Sequence, residues 1–101
     1  DLSAIKLVER DVRSHPEQSN ALKITATMVN EATFTQPYPV MRLSFTDMND
    51  DLVAERTFEP DEYLGDDIDI GKGMEPGVPV QVGLSIVDPG REAVNFEFHF
   101  Q

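Results

Sequence analysis

Two histidines, two crowded groups of acids, a glycine run and a pair of loop aromatics are the residues here whose types and spacing bear on chemistry. His15 lies in the loop Ser14-His15-Pro16-Glu17, and His99 falls on the outward face of the last expected strand. Histidine catalysis needs a nucleophile within reach and a third group to orient the ring. Neither residue has that company in the sequence, and both read as solvated side chains. The chain has no cysteine, which excludes thiol catalysis, disulfides and thiolate metal sites. Two histidines alone make a poor transition-metal site. Asp47, Asn49, Asp50 and Asp51 crowd one turn, and Asp66, Asp67 and Asp69 another. Calcium takes about six to eight oxygens, which such turns can supply, yet neither has the spacing of an EF-hand loop. They read as solvated turns. Ile70-Gly71-Lys72-Gly73-Met74 is followed by Glu75-Pro76-Gly77 rather than by the helix a phosphate loop requires. It too reads as a turn. No catalytic residue, cofactor or metal is expected, and the chain reads as a non-enzyme.

Three loop residues have a different character. Phe34 and Tyr38 sit in Thr33-Phe34-Thr35-Gln36-Pro37-Tyr38-Pro39, where aromatics either anchor a partner or cover the open end of a β-sandwich. Asn30 follows Met28-Val29 at a strand exit, where an amide can bond backbone on both sides. It reads as structural, with hydrogen bonds to backbone near its own loop. The Tyr38-Pro39 bond is a candidate cis peptide that would fix the entry to the next strand.

The elements that must hold these residues are strands. Val78, Val80, Val82, Leu84 and Ile86 alternate with Pro79, Gln81, Gly83 and Ser85; Val94, Phe96, Phe98 and Phe100 alternate with Asn95, Glu97, His99 and Gln101. Period two marks a strand with one buried face, so both apolar sets are expected in the core. Asp88-Pro89-Gly90-Arg91 is a strong turn signal, and the two runs are expected to form a hairpin across it. Leu22, Ile24, Ala26 and Met28 make another strand, as do Met41, Leu43 and Phe45. Residues 52–58 put Leu52, Ala54 and Phe58 on one face with Arg56. Residues 2–12 form a strand whose phase slips between Leu7 and Val8, as at a bulge. Ile68 and Ile70 suggest a short edge strand. Only residues 60–64, led by Pro60 with Asp61 and Glu62 behind it, look helical. About seven strands with regular turns predict an all-β, immunoglobulin-like two-sheet antiparallel sandwich with one short helical turn.

A length of 101 residues fits a single domain spanning 1–101, which buries roughly 60–70% of its unfolded surface and needs no staple. The formal charge is −11, from nineteen acids and eight bases. Residues 47–75 hold eleven acids and two bases, Arg56 and Lys72. Nucleic-acid binding and direct adsorption to anionic lipid both need cationic surface and are disfavoured. Dense negative charge either steers basic partners or serves solubility, which makes Asp50, Asp51, Asp66 and Asp67 candidate contacts. No apolar run approaches the ~18 residues of a membrane span. The chain opens at Asp1 without an initiator Met and reads as cut from a longer protein.

The run from Ala21-Leu22-Lys23-Ile24 to Asn30, then Tyr38-Pro39-Val40-Met41-Arg42-Leu43 and Asp47, resembles a recurring bacterial domain of unknown function. Ala54-Glu55-Arg56-Thr57-Phe58-Glu59-Pro60-Asp61-Glu62-Tyr63-Leu64 is similar to that family's most distinctive motif, and Pro76-Gly77 with the Phe-rich last strand fits as well. The resemblance covers about residues 2–100. It implies a C-terminal domain beyond one transmembrane helix, behind an N-terminal zinc ribbon and polar linker, in the periplasm of a Gram-negative bacterium. None of the zinc ligands lies in this chain, and no catalytic residues carry over. Asn30, Tyr38, Pro39, Arg56, Phe58, Pro60, Tyr63 and Leu64 then look like framework, with Arg56 expected to meet Glu62 or Asp47 because an unpaired buried charge is costly. The function expected is an interaction or scaffold module that binds another envelope protein, monomeric in isolation and inner-membrane-anchored only through upstream sequence. A ligand- or carbohydrate-binding sandwich is the alternative, weakened by the lack of Trp and the presence of only two Tyr.

Overall fold

The computed structural model describes residues 2–101. The alternating segments form six strands: β1 (Ile5–Ser14), β2 (Ala21–Asn30), β3 (Met41–Thr46), β4 (Leu52–Phe58), β5 (Val80–Val87) and β6 (Asn95–Phe100). One helical turn, α1 (Pro60–Tyr63), joins β4 to β5. Ile68 and Ile70 make no strand, which leaves six strands among the described residues where about seven were expected. Ile68 packs against the core from a turn, and Ile70 opens a 3₁₀ turn, Ile70–Lys72. Among the described residues no helix is long and apolar enough to cross a membrane.

The strands form two antiparallel sheets, ordered β1-β2-β5 and β4-β3-β6. Each has an apolar face that only the other can cover. Ile24, Ala26 and Met28 of β2 and Val80, Val82, Leu84 and Ile86 of β5 meet Met41, Leu43 and Phe45 of β3 in one buried cluster. The shortest dimension of the molecule is 20 Å, as two sheets about 10 Å apart with their outer side chains require. The result is the all-β sandwich that the alternation implies.

Two bulges reconcile sequence phase with burial. In β1 the pairing steps from Val8↔Thr27 to Asp11↔Thr25, so one extra residue is inserted and Glu9 takes φ 53°. Leu7 and Val12 therefore both face inward, opposite Met28 and Ile24, despite their opposite parity. Val8 stays outward, and the slip falls just after it rather than just before. In β4 the partner of Thr46 is Leu52 while that of Phe45 is Ala54; beyond this second bulge Leu52 is exposed.

The hairpin expected across Asp88-Pro89-Gly90-Arg91 does not exist. β5 pairs with β2 and β6 with β3, so residues 88–94 cross from one sheet to the other. Alternation specifies a buried face, and both sheets offer one. Two core assignments fail with it: Val78 is 45% and Val94 51% exposed, because each precedes its strand and lies outside the sheet overlap. Phe96, Phe98 and Phe100 point inward but are only half-buried, being on an edge strand. Ala54 and Arg56 of β4 line a groove with Ile86 and Pro89 beside β5. β4 and β5 thus border one side of the sandwich, and β1 and β6 border the other.

Candidate partner-binding end of the sandwich

β2 and β4 end, and β3 and β5 begin, at the same end of the sandwich, so residues 31–40 and 70–79 meet there. Asn30 joins them. It is fully buried, and its side chain makes four hydrogen bonds. Nδ2 donates to the carbonyls of Phe34 and Met74, both at 2.9 Å. Oδ1 accepts from the amide of Ala32 at 3.0 Å and from Nε2 of Gln36 at 2.8 Å. Its own carbonyl accepts from the Gly77 amide at 2.8 Å, and Gln36 and Met74 exchange backbone bonds beside it. A side chain with two donors and one strong acceptor oxygen is fully used here, as burial demands. Gly73 lets the two loops approach: its φ is +76°, and a Cβ there would sit 2.7 Å from the Gln36 carbonyl. The expectation of local backbone bonds for Asn30 is met, but its bond to Met74, 44 residues away, and the parts of Gln36 and Gly73 had no local signal beyond a glycine in a turn.

This lattice holds Phe34 by its carbonyl while leaving its side chain in solvent, the residue being 54% exposed. Tyr38 is half-buried and packs against the core; burial, and then the charge of Glu75, raise its phenol above the usual value. Of the two loop aromatics, then, Tyr38 covers the end of the sandwich and Phe34 projects. Among the described residues no peptide bond is cis, so Tyr38-Pro39 is trans. The entry to β3 is held by Tyr63, whose buried hydroxyl donates to the Pro39 carbonyl at 2.7 Å. Burial, with Tyr38 and Glu59 as weaker influences, pushes the Tyr63 phenol well above its usual value. Tyr63 is placed by α1, where Pro60 starts the turn and Glu62 reaches back to the Glu59 amide at 2.8 Å. Leu64 and Phe58 are buried on either side of it.

Arg56 does not meet an acid. It stands opposite Leu43 at the sheet edge, and its guanidinium leans outward 4.9 Å from the Phe58 ring centroid, keeping its charge in solvent. Glu62 is committed to Glu59, and Asp47 caps its own turn by accepting from Asn49 and Asp51 at 2.8 and 3.0 Å. Asp50 and Asp51 lie exposed in the β3–β4 hairpin, Asp66 and Asp67 exposed in the turn after α1; the structure does not gather them on one loop. Among the described residues no three acidic or histidine side chains converge as a metal-ligand set. His15 accepts from the amides of Glu17 and Gln18 at 3.1 and 3.2 Å, closing its own loop. His99 lies 3.3 Å from Glu97 on the outer face of β6.

Comparison with the curated proteins returns no match, and comparison with the solved structures returns none either. A family model does match, over residues 2–100, and the chain belongs to that family, described as a protein of unknown function (DUF3426).

Proposed function

We propose that this domain is a non-enzymatic interaction module of a membrane-anchored envelope protein, displayed in the periplasm, and that Phe34 is its anchor for another envelope protein. The observation that carries this is the mismatch between the backbone and the side chain of Phe34. Its carbonyl is clamped by a fully buried Asn30, while more than half of the residue stays in solvent. A rigidly held exposed aromatic loses little entropy on binding, the property that makes such residues strong contacts. Tethering through an upstream helix follows from what the family resemblance implies. Asp50, Asp51, Asp66 and Asp67 act at longer range, steering basic surfaces with a salt-sensitive attraction.

A photo-crosslinking side chain at position 34 of the full-length protein, expressed in its own envelope, tests the reading. A discrete adduct with one envelope protein is expected from position 34 and none from Val87, which is still more open, at the far end. Adducts from Val87 and none from position 34 would overturn it. A reporter active only in the periplasm, fused after Gln101, must also be active.

A further inference from the structure

We propose that β6 is a self-pairing edge: two copies of this chain join antiparallel through it, about a two-fold axis at Phe98, so that each β4-β3-β6 sheet continues into its partner's. The other three sheet edges carry devices that resist strand addition. β1 has its bulge with Glu9 at positive φ, β4 has its bulge opposite Thr46, and β5 is flanked by α1. β6 has none of these. Its register with β3 runs unbroken from Asn95 to Phe100, and it contains no proline, lysine or arginine.

The phase of the free edge follows from the last pair. Gln101 and Val40 exchange both backbone bonds, at 2.8 and 3.2 Å. Alternate residues of an antiparallel strand turn their N–H and C=O to opposite sides, so Phe96, Phe98 and Phe100 direct theirs to the open edge. The same three residues carry half-buried rings on the inner face; Phe96 lies 6.4 Å from Phe45 and 5.9 Å, edge-on, from Phe98. The crossings into β3 and β6 place them where the immunoglobulin arrangement has its C and F strands, and there a further strand lies beside F. Among the described residues no strand takes that place.

Side chains select both the occupant and the register. An axis at position 97 would oppose glutamate to glutamate, and one at 99 histidine to histidine. An axis at Phe98 sets Glu97 against the partner's His99 and His99 against the partner's Glu97, with Asn95 against the partner's Gln101. On the inner face Phe96 then meets the partner's Phe100 and Phe98 meets the partner's Phe98. A carboxylate across from an imidazole that can donate a hydrogen bond to it, and aromatic pairs directly across strands, are the favourable combinations. Arg42 sits beside His99 on β3 and adds to the attraction for the partner's Glu97. Most of the excess negative charge lies in residues 47–75, which include β4, the far edge of the same sheet.

This departs from the monomer expected in isolation, and it is independent of the Phe34 reading, since the two sites share no residue. Sedimentation equilibrium on the protein from micromolar to millimolar should show a monomer–dimer equilibrium. His99→Glu, which opposes two glutamate pairs, should weaken association by about tenfold or more. Glu97→His combined with His99→Glu should restore it. Mixing Glu97→Lys with His99→Glu should yield a heterodimer stronger than either homodimer, with thermal midpoints of all variants near that of the parent because these side chains face solvent. Because the chain has no native cysteine, Asn95→Cys mixed with Gln101→Cys should crosslink on mild oxidation. A protein monomeric throughout, or a dimer indifferent to the three variants at positions 97 and 99, overturns the proposal.

Discussion

Replacing Asn30 by Ala removes four hydrogen bonds at a site with no solvent exposure, and the cost depends on which partners are left stranded. Met74 keeps the Gln36 amide on its carbonyl at 3.1 Å. The Gln36 side chain loses its bond to Oδ1, and the Phe34 carbonyl and the Ala32 amide lose their side-chain partner, though these two are only partly buried and some water can reach them. Each stranded group costs about 1–3 kcal/mol, so Asn30→Ala should cost about 2–4 kcal/mol, a large part of the ~5–15 kcal/mol that holds a domain folded. Urea unfolding should show the midpoint falling with the slope unchanged. Hydrogen exchange at the Ala32 amide should accelerate more than at β3 amides, because the loop loosens before the sheet does. Asn30→Asp separates electrostatics from simple loss of contact. Its carboxylate can still accept from Ala32 and Gln36, but it faces two carbonyls where Nδ2 had donated. Burial and those carbonyls raise its pKa above the unfolded value, so the destabilisation sets in as pH passes the unfolded aspartate value of about 4 and grows until pH passes the raised folded value. The variant should therefore be closer to the parent at pH 4 than at pH 7. A cost for Asn30→Ala below about 1 kcal/mol, or an Asn30→Asp penalty independent of pH, would refute the account of this lattice.

Tyr63→Phe should cost about 1–3 kcal/mol in the same urea assay, since it leaves the Pro39 carbonyl buried without its donor. Gly73→Ala should destabilise by more than about 1 kcal/mol, because a Cβ at φ +76° would press on the Gln36 carbonyl; equal or greater stability would show that the loops are not locked together. Phe98→Ala should cost about 2–3 kcal/mol, below the ~3–5 kcal/mol of a fully buried ring, whereas Val94→Ser should change stability by less than about 0.5 kcal/mol. Thermal or urea denaturation of the pair checks both, and a costlier Val94→Ser would contradict its placement outside the core.

Which residues turn inward was legible in the sequence wherever alternation was clean. Val80, Val82, Leu84 and Ile86 are buried on one side of β5, and Ile24, Ala26 and Met28 on one side of β2. The helical turn at Pro60 was legible too, because its signals are local: a proline at the first position and two acids behind it at the positive end of the turn's dipole. Even the phase slip in β1 was visible, since a bulge changes parity along a single strand. Strand neighbours were not. Period two states that a face is buried but carries nothing about which strand lies alongside, so Asp88-Pro89-Gly90-Arg91 served equally as hairpin turn or as crossing, and packing chose the crossing. Arg56 fell to the same ambiguity: its register put it on an apolar face, but the edge position of β4 let its charge escape without an acid. The lock between the two loops needed the tertiary structure, because Asn30 and Met74 come together only when the loops at the ends of β2 and before β5 are folded against each other. Local preference reaches a few residues, as the Asn30 bonds to Ala32, Phe34 and Gln36 do, while the bond to Met74 spans 44, and only the closed sandwich brings both ends within reach.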